Sequence, residues 1–265
     1  MKLFRRKDSD GSGGGVVPPP ESYEVRRGPT RDEVVERLGR AAPSQGATII
    51  AALAPAVRFG VRPMADADIP LGASKIGGAP DLPPGAGPPD AGLRFFAQID
   101  MAGVAAVSFE SVALGLGLPD AGLLSFFASA DDDGLSWDAE RAAVLVTPPG
   151  TPLVRVADVV DPVPSGRLAP IGVWTWPEVE LSEREFDAVD AADIWHEEQI
   201  AAAAGGWATE GRHQLGGHAR IIHRAIEDLV FQLDSDDALD HMWADAGTLY
   251  WHGPLATPRF DFQSA

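Results

Sequence analysis

A short acidic run and six histidines carry most of the reactive chemistry in this chain. Asp234-Ser235-Asp236-Asp237 suits a hard cation. Ca²⁺ or Mg²⁺ takes several oxygens from a short loop, and alternate residues at a strand end can aim two carboxylates together. The run lacks the spacing and distal Glu of an EF-hand loop, and Asp with Ser at a strand end also makes a turn or a helix cap. The histidines fall late, at His196, His213, His218, His223, His241 and His252. The five-residue steps from His213 to His223 fit neither one helix face nor a His-Glu-x-x-His zinc helix, so a structural role is the default. His196-Glu197-Glu198 reads as a water-facing stretch of helix. Gln98 and Asp100, with Gln232, Asp234 and Asp245, offer a polar pocket. The same glutamines could instead bond turn backbone, since a buried amide must be fully paired. Ser-His-Asp hydrolysis finds no support, because no Gly-x-Ser-x-Gly elbow is present. Gly11–Gly15 and Gly85–Gly87 lack the Lys-Ser/Thr of a phosphate loop.

Composition narrows the field further. The 265 residues carry 21 Lys+Arg against 39 Asp+Glu, a net charge of −18. That balance opposes non-specific nucleic-acid binding and docking on anionic membranes, and it suits a basic partner protein. With no cysteine there is no disulfide framework, no thiol nucleophile and no Cys-ligated zinc. Residues 1–22 open with Lys2, Arg5, Arg6 and Lys7 and run through glycines into Pro18-Pro19-Pro20. No apolar stretch follows the basic start, so this is expected to be a solvated tail rather than a signal peptide. Met101–Leu118 is too rich in Ala, Gly and Ser, and carries Glu110, so it is rejected as a membrane span. The expectation is a cytoplasmic protein.

Several elements must position these groups. Thr30 with Glu33 has the form of a capping box, followed by Val34, Val35 and Leu38 on a short amphipathic helix. Ser182 with Glu185 opens the longest helix, expected to end at Gly205-Gly206 with Phe186, Val189 and Trp195 toward the core. Strands are expected over 56–64, 93–99, 122–128, 142–147, 153–156, 229–233 and 248–251. Residues 77–90 read as an irregular loop, and 162–177 as a Pro-punctuated connection. Trp174 and Trp176 on that connection are core anchors or, if exposed, a partner surface.

Three blocks of the chain repeat in order. Lys75-Ile76-Gly77-Gly78 answers Gln214-Leu215-Gly216-Gly217, and Phe95–Asp100 answers Leu229–Asp234. Asp120-Ala121-Gly122 before an apolar strand answers Asp245-Ala246-Gly247. The glycine pairs supply turns that need positive φ or close approach. Strand alternation places Phe96, Gln98 and Asp100 on one face, and Val230, Gln232 and Asp234 on its match. The pattern predicts an α+β fold, with mixed, mainly antiparallel sheets and an internal duplication forming one pseudo-symmetric domain over 23–265. The copies would cover about 50–150 and 170–255.

These blocks, together with Gly77-Gly78-Ala79-Pro80-Asp81-Leu82-Pro83 and His213-Gln214-Leu215-Gly216-Gly217, resemble the YwqG-like family of uncharacterised bacterial proteins. The chain departs from that pattern at Pro84, where family members often carry Trp, and at His223, which replaces a family Gln. The resemblance implies a duplicated mixed fold and no assigned reaction. The leading expectation is therefore a non-catalytic protein-binding module without cofactor, of immunity or regulatory type. The alternative is an enzyme or ligand-binding protein holding Ca²⁺ or Mg²⁺ at an acidic site between the copies.

Overall fold

The computed structural model describes residues 26–90, 92–107, 114, 117–129, 141–156 and 163–264; the tail expected over 1–22 lies outside them. Two long antiparallel strands form its axis, β1 (Ala54–Pro63) and β8 (Gly166–Thr175), in register from Ala54 opposite Thr175 to Pro63 opposite Gly166. Outward from β8 run β2 (Lys75–Ile76), β4 (Leu93–Asp100), β5 (Leu123–Ser129) and β6 (Ala142–Thr147). Outward from β1 run β9 (Gln214–Leu215), β10 (Leu229–Asp234), β11 (Thr248–His252) and β12 (Arg259–Gln263). A separate two-stranded ribbon joins β3 (Asp81–Leu82) to β7 (Val154–Arg155). Helices are few: α1 (Arg31–Ala41), α2 (Gly46–Ala51), α3 (Met101–Val107) and α4 (Glu183–Ala204).

This corrects the expected α+β fold of two repeat copies. The matched blocks are not two mixed units with cores of their own. They lie in the two arms of one ten-stranded antiparallel sheet, which curls until it is nearly closed. Trp251 of β11 donates from Nε1 to the Phe127 carbonyl of β5 at 2.9 Å, joining arms that are far apart in strand order. One core fills the inside. Phe126 of β5 stacks on Phe231 of β10, and Phe96, Trp251 and Phe59 pack around them. Aromatic rings from both arms thus share one interior, and Leu82, Phe95 and Phe127 form a smaller buried cluster on the β4–β5 side.

Two further departures have local causes. Each of β4 and β10 carries a bulge, between Phe95 and Ala97 and between Leu229 and Phe231. A bulge breaks the two-residue alternation. Phe96 and Val230 therefore turn into the core, away from the face that holds Gln98 and Gln232. The connection expected over 162–177 is in fact the central strand β8, concealed by Pro170. A proline in a sheet needs its nitrogen where no strand is bonded. Leu168 and Gly172 donate outward, to the carbonyls of Ser74 and Arg26, so Pro170 between them also points its nitrogen outward. No described strand pairs with β8 there, because β2 covers only Gly166 and Arg167.

The outer face of β1 and β8 is roofed by α1, α2 and α4. Thr30 and Glu33 make the expected capping box on α1. α4 begins at the expected Ser182 and ends at Gly205, in the left-handed conformation with φ 61°. It packs Ala192, His196, Ile200 and Ala204 inward, whereas Phe186, expected in the core, has 62% of its surface exposed. No helix among the described residues is long and apolar enough to cross a membrane.

Candidate functional site

On the outer face of the sheet, register sets polar residues of five adjacent strands in a row: Arg58 opposite Gln214, then Gln232, Tyr250 and Asp261. The corresponding row in the other arm runs Arg167, Lys75, Gln98 and Ser125. The two glutamines of the matched blocks do the same work. Gln98 Oε1 accepts from the Asp81 backbone N–H at 3.0 Å, and Gln232 Oε1 accepts from that of Arg220 at 2.9 Å. Gln98 Nε2 donates to the Ala73 carbonyl and to Asp81, and Gln232 Nε2 to the Arg212 carbonyl and to Asp234. Each amide is fully paired, and each pins the loop that follows a glycine pair. At Gly78 (φ 65°) an added Cβ would lie 2.4 Å from Asp66 Oδ1, so that loop requires glycine. Gly77, Gly216 and Gly217 share the positive φ, as does Gly122. Gly247 does not, and is needed because a Cβ would lie 2.5 Å from Phe262.

The arms differ in what lies above these rows. Beside Gln98 the space is filled by ions. Buried Lys75 donates to Asp66 (2.7 Å) and to the Ala79 carbonyl, while Arg155 of β7 grips buried Asp81 at 2.8 Å. Burial pushes the Lys75 ammonium below its usual range, against the pull of Asp81. Beside Gln232 there is instead a cavity of about 360 Å³. Its floor includes Arg58, Gln214 and Gln232, one wall is α4, and the other is the segment from Thr175 to Leu181.

α4 presents Asp193, His196 and Glu197 to this cavity, at i, i+3 and i+4, with their ligand-type atoms all within 4.8 Å of one another. Arg58 reaches both oxygens of Glu197, at 2.9 and 3.2 Å, and Arg212 meets Asp193 at 3.1 Å. Burial pushes the Glu197 carboxyl up, but the Arg58 guanidinium outweighs it and holds the group below the usual carboxylate range. His196, only 3% exposed, lies edge-on to Trp176 with ring centroids 4.9 Å apart. Burial lowers its pKa to about 4, so the ring is neutral at neutral pH. Two buried nitrogens here, Arg58 Nε and His196 Nε2, have no hydrogen-bond partner among the described residues.

The other residues singled out in the sequence are dispersed. Asp236 pairs with His213 Nε2 at 2.8 Å and caps the turn at Leu239. His213 Nδ1 accepts from the Asp234 backbone N–H at 3.2 Å, so its tautomer is fixed by the network and both ring nitrogens are engaged. Asp234 is buried, which raises its carboxyl pKa against the pull of His213 and Arg220. Asp237 and Asp245 are exposed. Among the described residues the acidic run forms no group of three or more converging ligand atoms. Asp100, half-buried, accepts from the Ala102 backbone N–H at 3.0 Å at the start of α3. His218 bonds the Ala52 carbonyl, His223 the Ser264 carbonyl, and His241 packs on Trp243. His252 is half-buried, and Trp174 lies in the core under α1 and α4.

Sequence reasoning missed His196, expected to face water, and gave Arg58 no role. The signal for His196 was present. Ala192, His196, Ile200 and Ala204 recur every four residues, an inward stripe that a histidine shares. The protein-family model described as a domain of unknown function, DUF1963, matches residues 74–252. No curated protein matches the chain.

Proposed function

This chain belongs to the DUF1963 family, whose description names no activity, and from the site's geometry we propose that it is a non-catalytic module that binds a basic segment of a partner protein. One observation carries the reading. At the mouth of the cavity Glu178 and Asp190 are exposed and have no ion-pair or hydrogen-bond partner among the described residues, next to exposed Phe186 and half-buried Trp176. Free carboxylates beside aromatic surface suit a Lys or Arg side chain flanked by apolar residues. The net charge of −18 adds long-range attraction for such a partner. By contrast, the His213–Asp236 pair is buried and fully engaged, which supports a structural role for it. An immunity or regulatory role, a cytoplasmic setting and a place among YwqG-like bacterial proteins belong to the same proposal.

The test is a fluorescence-polarisation screen of short peptides against the full chain. Peptides with Lys or Arg beside aliphatic or aromatic residues are expected to bind, and acidic ones are not. Binding should weaken with added salt, and by about tenfold, the equivalent of ~1.4 kcal/mol, in the double variant Glu178→Gln, Asp190→Asn. Peptide binding that ignores both salt and the double variant overturns the reading, as does a screen in which no basic peptide binds.

A further inference from the structure

We propose that Asp193, His196 and Glu197 form a binding site for a divalent transition-metal ion, of the zinc class, opening onto the cavity beside α4. The three residues stand on one face of a 22-residue helix, whose spacing brings their ligand atoms within 4.8 Å of one another. His196 is buried, and its Nε2 is one of nine buried side-chain polar atoms without a hydrogen-bond partner among the described residues, where buried polar groups in proteins are normally paired. An ion held through Nε2 would give that nitrogen the contact it lacks.

The arginines fit the proposal. Arg212 bonds Asp193 Oδ2, and Arg58 donates one hydrogen bond to each oxygen of Glu197. A carboxylate oxygen has a second lone pair for a metal, and ligating carboxylates are commonly held by hydrogen bonds of this kind. The donor set, one imidazole nitrogen with carboxylate oxygens, favours zinc, cobalt or nickel over Mg²⁺ or Ca²⁺, which prefer oxygen alone. Three protein ligands leave at least one coordination position toward the cavity, the pattern of zinc sites that accept an outside ligand. This inference does not rest on the peptide-binding reading, which concerns Glu178 and Asp190 at the rim.

The test uses the full chain without a histidine tag, stripped with a chelator and titrated with Co²⁺ and Zn²⁺. One equivalent of Co²⁺ is expected to produce a visible d–d band that Zn²⁺ quenches and that excess Mg²⁺ and Ca²⁺ leave unchanged. Calorimetry is expected to show affinity reduced by roughly tenfold or more in His196→Ala. His223→Ala, at an exposed histidine remote from α4, should bind as the parent does. Asp193→Asn changes only a half-exposed side chain, so it keeps the test decisive if His196→Ala fails to fold; it should weaken binding too. The absence of a band and of binding heat overturns the proposal. So does stoichiometric binding that survives both Asp193→Asn and His196→Ala.

Discussion

Acidification is expected to weaken this fold through His196, and the size of the effect follows from its burial. The imidazole has a pKa of about 4 in the folded protein, lowered first by burial and further by Arg58 and Arg212, against Glu197 and Asp193. An unfolded chain would carry it near 6.5. The folded state therefore favours the neutral ring, and this contribution is complete above about pH 6.5 and is lost as pH falls toward 4. Each pH unit in that window removes about 1.4 kcal/mol, so the loss is about 2 kcal/mol at pH 5 and about 3 kcal/mol at pH 4. The assay is urea unfolding followed by tryptophan fluorescence, at pH steps from about 7.5 to about 4, for the parent and for His196→Leu. Leucine fills similar space and cannot titrate. Carboxylates and the other histidines titrate in both proteins, so the difference between the two stability curves isolates His196. The parent should lose about 2 kcal/mol more than the variant between about pH 7.5 and about pH 5. Parallel curves would refute the reasoning and show that the ring is solvated or already charged.

Three other outcomes follow from the ion cluster and the loops. Asp81→Ala leaves buried Lys75 and Arg155 without their shared carboxylate and should cost about 3–5 kcal/mol; removing Glu36 from its exposed pair with Arg40 should cost under about 1 kcal/mol by the same urea assay. Gly78→Ala forces a positive φ and drives a methyl into Asp66, so it should lower Tm well beyond Gly85→Ala, where φ is +80° but nothing lies within 4 Å and the loss should be about 1 kcal/mol. Gln232→Leu removes the acceptor for the Arg220 backbone N–H; stability should fall by about 1–3 kcal/mol, and hydrogen exchange at the Arg220 amide should accelerate in the native state.

What the sequence made legible was local. The Thr30–Glu33 cap, the glycines after α4 and most strands depend on neighbours a few residues away, and they are where the spacing places them. The partly misread faces of β4 and β10 come from bulges, which leave no mark in an alternation count. β8 was hidden because a single proline outweighs nine strand-competent residues unless the pairing on each side is known. β12 was passed over altogether. The site was harder still. Arg58 meets Glu197 across 139 residues, and Arg155 reaches Asp81 across 74, so no sequence window contains either pair. The acidic run at 234–237 drew attention because it is contiguous, but the helix spacing of Asp193, His196 and Glu197 brings donors closer together.

The axis formed by β1 and β8 has a consequence for how a nascent chain can fold. β1 emerges early in synthesis, yet its partner on one side, β8, comes only after β2 to β7 have been made. Its partner on the other side, β9, follows α4. Until β8 emerges both long edges of β1 are unpaired, and until β10 emerges Phe59 lacks its contact with Phe231. Contacts this distant along the chain must be closed before they stabilise anything, which slows folding. Meanwhile an apolar strand with two open edges is the segment most exposed to pairing with another molecule. A ribosome-bound fragment ending before β9 would therefore hold an incomplete core, and the cavity beside α4 would have no floor beyond Arg58. A ligand that rests on Gln214 or Gln232 in the cavity floor can bind only after β9 and β10 have left the ribosome.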